Sequence, residues 1–156
     1  MQLSNNFYLI EFLRSDIASR HNISEQFTPS KEVIENLKRL ANFLQGFRNY
    51  LNTKRKNTVL TVLSGYRCKR VNDLARGSEN SFHLQGLAVD FYSNTFLTGE
   101  LFNELRNYIK INNLDFDQLI WEFGDSKNPA WVHLGINILG KSGRKQVFAI
   151  GVNKRF

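Results

Sequence analysis

Residues 81–90 read S-F-H-L-Q-G-L-A-V-D, and residues 131–133 read W-V-H. The first stretch sets an imidazole, His83, and a carboxylate, Asp90, on opposite sides of a turn marked by Gly86; the second adds His133. The chain holds only three histidines in 156 residues, so two of them falling in these stretches calls for a chemical explanation. L-A-V-D-F-Y over 87–92 has strand composition, which puts Asp90 on a strand and His83 on the loop before it. Residues 118–123, Q-L-I-W-E-F, and 131–137, W-V-H-L-G-I-N, flank the turn-rich G-D-S-K-N-P-A and read as a hairpin that brings Glu122 beside His133.

The rest of the chain supplies a frame for these segments. Over 7–20, apolar residues at Phe7, Ile10, Leu13 and Ile17 predict one or two short helical turns with one buried stripe, and His21 is a surface residue at their end. Thr28-Pro29-Ser30 is a helix start. Val33, Ile34, Leu37, Leu40, Ala41, Leu44, Phe47 and Leu51 then recur at helical spacing, which marks the main amphipathic helix of the core. After the basic N-T-K-R-K-N, the β-branched T-V-L-T-V-L over 58–63 predicts a buried strand that delivers Ser64-Gly65-Tyr66-Arg67. A short helix over 69–75 and a loop over 76–81 lead back to His83. Thr98 is expected to cap a second long helix with Leu101, Phe102, Leu105, Tyr108 and Ile109 on its apolar face. A last strand over 146–152 is expected to complete an antiparallel sheet edge. The expected fold class is α+β: one compact domain over 1–156, a mainly antiparallel sheet with N-terminal helices packed on it, and the histidine-carboxylate site on the sheet face.

Composition bounds the function. An apolar fraction of 42% with 22% charged residues is ordinary globular composition. No run reaches the ~18–20 uninterrupted apolar residues of a membrane helix, and M-Q-L-S-N-N-F-Y-L-I-E lacks the basic-then-apolar pattern of a signal peptide. The single cysteine, Cys68, excludes an intrachain disulfide and reads as a buried thiol rather than a metal ligand. A net charge of +7 and a pI near 9.7 favour polyanionic surroundings such as nucleic acid, an anionic membrane face or a cell wall. The cations are scattered in small clusters, at residues 54–56, at Lys141, Arg144 and Lys145, and at Lys154 and Arg155, so charge alone specifies no nucleic-acid site.

Two imidazoles and a carboxylate are the ligand types of a catalytic zinc site, which keeps three protein ligands and an open position. His83, Asp90 and His133 supply that set, on a loop, the following strand and a distant hairpin. From residue types alone a second reading stands beside it, in which both histidines are hydrogen-bonded sheet residues and Asp90 caps a turn. Amide hydrolysis at zinc needs one further group to move protons, and Glu122 is the candidate.

Ser64-Gly65-Tyr66-Arg67, Ser81-Phe82-His83-Leu84-Gln85-Gly86 with Ala88 and Asp90, and Trp131-Val132-His133, taken together, resemble the zinc D-Ala-D-Ala carboxypeptidase family, peptidase family M15, which includes phage endolysins and the vancomycin-resistance dipeptidases. The N-terminal F-x-x-x-E-F-x-R-S and the long helix extend the likeness to the compact branch of that family. The resemblance implies a hedgehog/DD-peptidase-type fold and a Zn2+ cofactor held by His83, Asp90 and His133. It implies that Ser81 helps hold the substrate and that Arg67 binds a substrate carbonyl or carboxylate and steadies transition-state charge. A structural ion pair is the other role open to Arg67. Trp131 and Tyr66 either line the cleft or pack as core.

One departure matters. Many members of the family carry a catalytic acid three residues before the last histidine, and that position here is Ala130, which transfers no proton. Glu122 on the preceding strand, Asp125 or a water must then take over. The implied activity is hydrolysis of an amide bond in peptidoglycan stem peptides, of the D-Ala-D-Ala carboxypeptidase or L-Ala-D-Glu endopeptidase type, by a phage endolysin or virion-associated lysin. The expected setting is the host cytoplasm before lysis or the phage virion, with other virion proteins as partners in the second case and a monomer if free. The alternative is a catalytically inactive zinc-binding structural or cell-wall-binding module of a phage particle.

Overall fold

The structure, a computed structural model, describes all residues 1–156. A two-stranded antiparallel ribbon opens the chain, β1 (Gln2–Ser4) against β2 (Phe7–Tyr8), followed by two short helices, α1 (Leu9–Leu13) and α2 (Asp16–Arg20). Ser15 starts α2 by accepting the Ala18 amide hydrogen. The expected stripe through Phe7, Ile10, Leu13 and Ile17 holds only in part. Phe7 and Leu13 are buried, whereas Ile10 is 55% exposed and Phe12 points inward instead. Phe7 lies on β2 and α1 starts only at Leu9, while the extended backbone at Arg14, φ −57° and ψ 133°, ends α1 before α2, so one helical periodicity cannot run from Phe7 to Ile17.

The main helix, α3 (Lys31–Lys54), begins after Pro29, with the Ser30 hydroxyl accepting the Val33 amide. Leu37, Leu40, Ala41, Leu44, Phe47 and Leu51 on its apolar face are fully buried, and each large one contributes about 1.5–3 kcal/mol relative to exposure. The elements that follow are β3 (Leu60–Ser64), α4 (Lys69–Leu74), a 3-10 turn (Phe82–Gln85), β4 (Ala88–Ser93), α5 (Thr98–Ile111), β5 (Gln118–Glu122), β6 (Trp131–Gly135) and β7 (Gln146–Ile150). The class is α+β as expected, and the five-stranded sheet has the order β3-β4-β6-β5-β7. No helix is long and apolar enough to cross a membrane.

Contacts group the chain into two units. In the first, residues 1–45 with 62–89, a small cluster of Ala18, Ile23, Cys68 and Val71 is joined by Ile17 and Tyr66. Cys68 is the buried thiol expected of it, and burial pushes the Tyr66 phenol up from its usual range. In the second, residues 46–61 with 90–156, α5 buries Leu101, Phe102 and Leu105, and Phe102 meets Trp121 of β5 edge to face at 5.3 Å.

Two expectations in this second unit are corrected. Thr98 does not cap α5. Leu97 holds the cap position, its amide donates to the Glu100 carboxylate at 3.2 Å, and the Thr98 hydroxyl donates to the Pro129 carbonyl at 2.6 Å. The last strand is not an antiparallel edge either. β5 and β6 form the expected antiparallel hairpin, but β7 pairs with β5 in parallel, Gln118 opposite Gln146 through Glu122 opposite Ile150. β6 ends at Gly135 beside Gln118, and the connection re-enters at that same end on the other side of β5, so β7 must run in the direction of β5. Arg144 pins this connection with a forked pair to the buried Asp117 carboxylate, Nε to Oδ1 at 2.9 Å and Nη2 to Oδ2 at 2.5 Å. The carboxylate holds the guanidinium above its already high range.

Candidate metal centre

His83 is placed by backbone hydrogen bonds from two directions. Ser81 precedes the 3-10 turn and its hydroxyl accepts the His83 amide at 3.3 Å. The His83 carbonyl accepts amides from Arg67 at 3.0 Å and Gly86 at 3.2 Å. Gly86 closes the turn with φ +67°, a conformation that suits glycine. The imidazole Nδ1 lies 2.6 Å from the Gly65 carbonyl. A carbonyl only accepts, so Nδ1 carries the proton and Nε2 keeps its lone pair, the arrangement of a metal-ligating histidine oriented by its other nitrogen.

Asp90 on β4 and His133 on β6 supply the other two groups. His133 Nδ1 is 2.8 Å from Asp90 Oδ1 and 3.6 Å from Glu122 Oε1. One ligand atom each from His83, Asp90 and His133 lie within 4.8 Å of one another, and all three residues are buried, at 3%, 4% and 7% exposure. The three expected ligands therefore converge, which favours the metal reading over that of two unrelated sheet histidines. Two imidazoles and a carboxylate in a buried spot fit zinc, whose positive charge would offset the cost of burying Asp90 as an anion.

Glu122 stands at the rim of this group. In the hairpin it lies opposite Trp131, and His133 two residues on shares the face of Trp131. The Trp131 indole N–H donates to Glu122 Oε2 at 2.8 Å, leaving Oε1 toward His133. Trp131 is half-buried, and beside the expected cleft or core role its indole holds Glu122. Ala130 contributes only backbone, its amide donating to the Glu122 carbonyl at 2.9 Å. Asp125 is occupied by the turn. Its Oδ1 accepts the amides of Lys127 and Asn128, which hold the carboxyl below the usual range, and it is not in the ligand cluster.

Arg67 is half-buried; its Nε donates to the Ser64 hydroxyl at 2.9 Å, and its amide to the His83 carbonyl, so the loop that carries the guanidinium is tied to the turn that carries His83. A fully buried residue that the sequence reading passed over makes this possible. The Gln26 amide nitrogen donates to the Leu13 carbonyl at 2.9 Å and the Tyr66 carbonyl at 2.7 Å, and its oxygen accepts the Cys68 amide at 2.9 Å. Gln26 thus brackets Arg67 on both sides. Only an amide in a polar stretch marks it in the sequence, and nothing local distinguishes it from a surface glutamine.

A family model described as peptidase M15 matches residues 7–134. The chain belongs to the peptidase M15 family. A search of curated proteins finds no match. The span matched by the M15 model contains all three ligands, Glu122, Arg67 and Ser81, and stops one residue after His133, so β7 and the Arg144–Asp117 clamp lie wholly or partly beyond it. Membership makes the chain a peptidase by descent, and the buried His83, Asp90 and His133 group is where an M15 peptidase of this sequence could hold its metal.

Proposed function

We propose that this M15 chain is a zinc-dependent peptidase that hydrolyses an amide bond in peptidoglycan stem peptides, as a D-Ala-D-Ala carboxypeptidase or an L-Ala-D-Glu endopeptidase, in the setting of a phage endolysin or virion-associated lysin. The observation that carries the reading is the position of Glu122 Oε1, 3.6 Å from a nitrogen of a histidine that belongs to a buried three-ligand group.

When bound, zinc supplies Lewis acidity that polarises a carbonyl and acidifies water. His83, Asp90 and His133 would hold it. Glu122 Oε1 takes the proton from the attacking water and returns it to the leaving amine, while Oε2 stays fixed by the Trp131 N–H. Arg67 offers its guanidinium to the substrate carbonyl or carboxylate, a contact of the kind that typically lowers a barrier by ~3–4 kcal/mol. Ser81 caps the turn under His83 and would offer its hydroxyl to substrate. The net charge of +7 supports an anionic polymer as the surroundings.

The test is metal content followed by incubation with purified peptidoglycan. One zinc per chain, release of amino groups, and loss of that release with a chelator or with His133→Ala are expected; a chain that takes up no zinc removes the reading. Ala130 favours a second reading, an inactive zinc-binding structural or cell-wall-binding module, and there zinc uptake would persist with no amino groups released.

A further inference from the structure

Phe123 directly follows Glu122, and its backbone is unusual for its residue type. Its φ is +54°, in the left-handed region. Six non-glycine residues have positive φ; three are asparagines, whose short amide tolerates it, and Phe123 is the single aromatic among them. A glycine or asparagine would satisfy this backbone with less strain, and Phe123 is 45% exposed, so neither chain path nor burial accounts for the ring.

Its surroundings are built to keep the ring in one place. The Phe123 amide donates to the Ile150 carbonyl of β7 at 2.8 Å. Across from it, Gly151 has φ +74°, and a Cβ there would lie 2.4 Å from Phe123 Cδ1, so the glycine leaves room for the ring. The ring meets Trp131 at 5.4 Å between centroids with planes 63° apart, an edge-to-face contact. Trp131 in turn donates its indole N–H to Glu122 Oε2.

We propose that Phe123 is a positioning residue: its ring, turned onto Trp131 by the left-handed backbone, fixes the indole so that the N–H holds Glu122 Oε2 and Oε1 faces His133. The catalytic consequence rests on Glu122 as the proton-transfer group of the function proposed above, whereas the hydrogen bond itself is measurable in a chain without turnover. It also gives β7 a task, since the strand holds the Phe123 amide and supplies the glycine that follows it.

The experiment uses the full chain and its two tryptophan indole N–H signals in a proton–nitrogen correlation spectrum, assigned with Trp131→Phe. Glu122→Ala sets the Trp131 signal for a broken bond. Phe123→Gly removes the ring while relaxing the backbone, and is expected to move the Trp131 signal most of the way to that position and to speed its exchange with water, leaving Trp121 unmoved. Phe123→Tyr is expected to keep the wild-type signal, and Gly151→Ala, which displaces the ring without altering Glu122 or Trp131, to reproduce the Phe123→Gly shift. On stem peptides, Phe123→Gly is expected to lower kcat roughly 10- to 100-fold with little change in KM. Wild-type chain that shows these signals without turnover would remove the peptidase function and leave the positioning role supported. A Trp131 signal unmoved by Phe123→Gly, or unmoved by Glu122→Ala, overturns the proposal.

Discussion

The ligand group of His83, Asp90 and His133 and the corner of Glu122, Phe123 and Trp131 draw on adjacent strands, yet they are secured by different means. All three side chains are buried and each has a close partner: a backbone carbonyl behind His83, and the Asp90–His133 contact for the other two. The corner is more open. Phe123 is 45% exposed, Glu122 is held by an indole, and the indole is held by a ring on a left-handed residue. A metal site demands particular donor atoms and tolerates little substitution. Proton transfer demands only a carboxylate within reach, and a hairpin register can deliver one from a neighbouring strand. The proposed role of Glu122, with alanine at position 130, would use that latitude.

The contrast breaks first under changes to the two ends of the site. His133→Ala should lower zinc affinity by more than the ~10- to 100-fold typical of losing a supporting partner and abolish hydrolysis, as read by equilibrium zinc titration. Glu122→Gln should leave zinc uptake intact and cut the rate by roughly 10²–10⁴-fold, separating the corner from the ligands.

Gln26→Ala probes the support beneath Arg67. It leaves the Leu13 and Tyr66 carbonyls and the Cys68 amide without their partner, and with each such buried group worth about 1–3 kcal/mol, a loss of roughly 3 kcal/mol is expected in urea denaturation. Zinc affinity per folded chain should change far less than in His133→Ala.

The smallest effect belongs to the turn after the corner. The Asp125 carboxyl is held below its usual range by the Asn128 and Lys127 amides. Its folded-state value is depressed, so its stabilising contribution is present above the unfolded-state value and is lost as pH falls through the folded-state value. Amide exchange at Lys127 and Asn128, corrected for its intrinsic pH dependence, should show protection weakening over that acidic window in wild type and not in Asp125→Asn.

Much of this was legible in the residue pattern, for identifiable reasons. The periodicity of α3 and the hairpin of β5 and β6 survive because burial alone decides them. The grouping of His83, Asp90 and His133 was legible because metal-ligand chemistry restricts residue type. What failed depends on the path of the chain: Phe12 is buried in place of Ile10 because α1 starts only after strand β2, Thr98 gives its hydroxyl to Pro129 instead of the helix, and β7 runs parallel because its connection returns to the same end of β5. Gln26 was silent because its three partners lie 13, 40 and 42 residues away. The register that sets Glu122 opposite Trp131 was expected only as proximity to His133, and Phe123 carries no mark in the sequence of its positive φ.

The division of labour between ligand group and corner is tested most directly by one rate: cleavage of purified peptidoglycan by zinc-loaded Glu122→Gln, set against zinc-loaded wild type. The expected outcome is one zinc bound in both and a rate lower by roughly 10²–10⁴-fold in the variant. Equal rates at equal zinc content would show that Glu122 moves no proton and that the corner is not the catalytic half of the site.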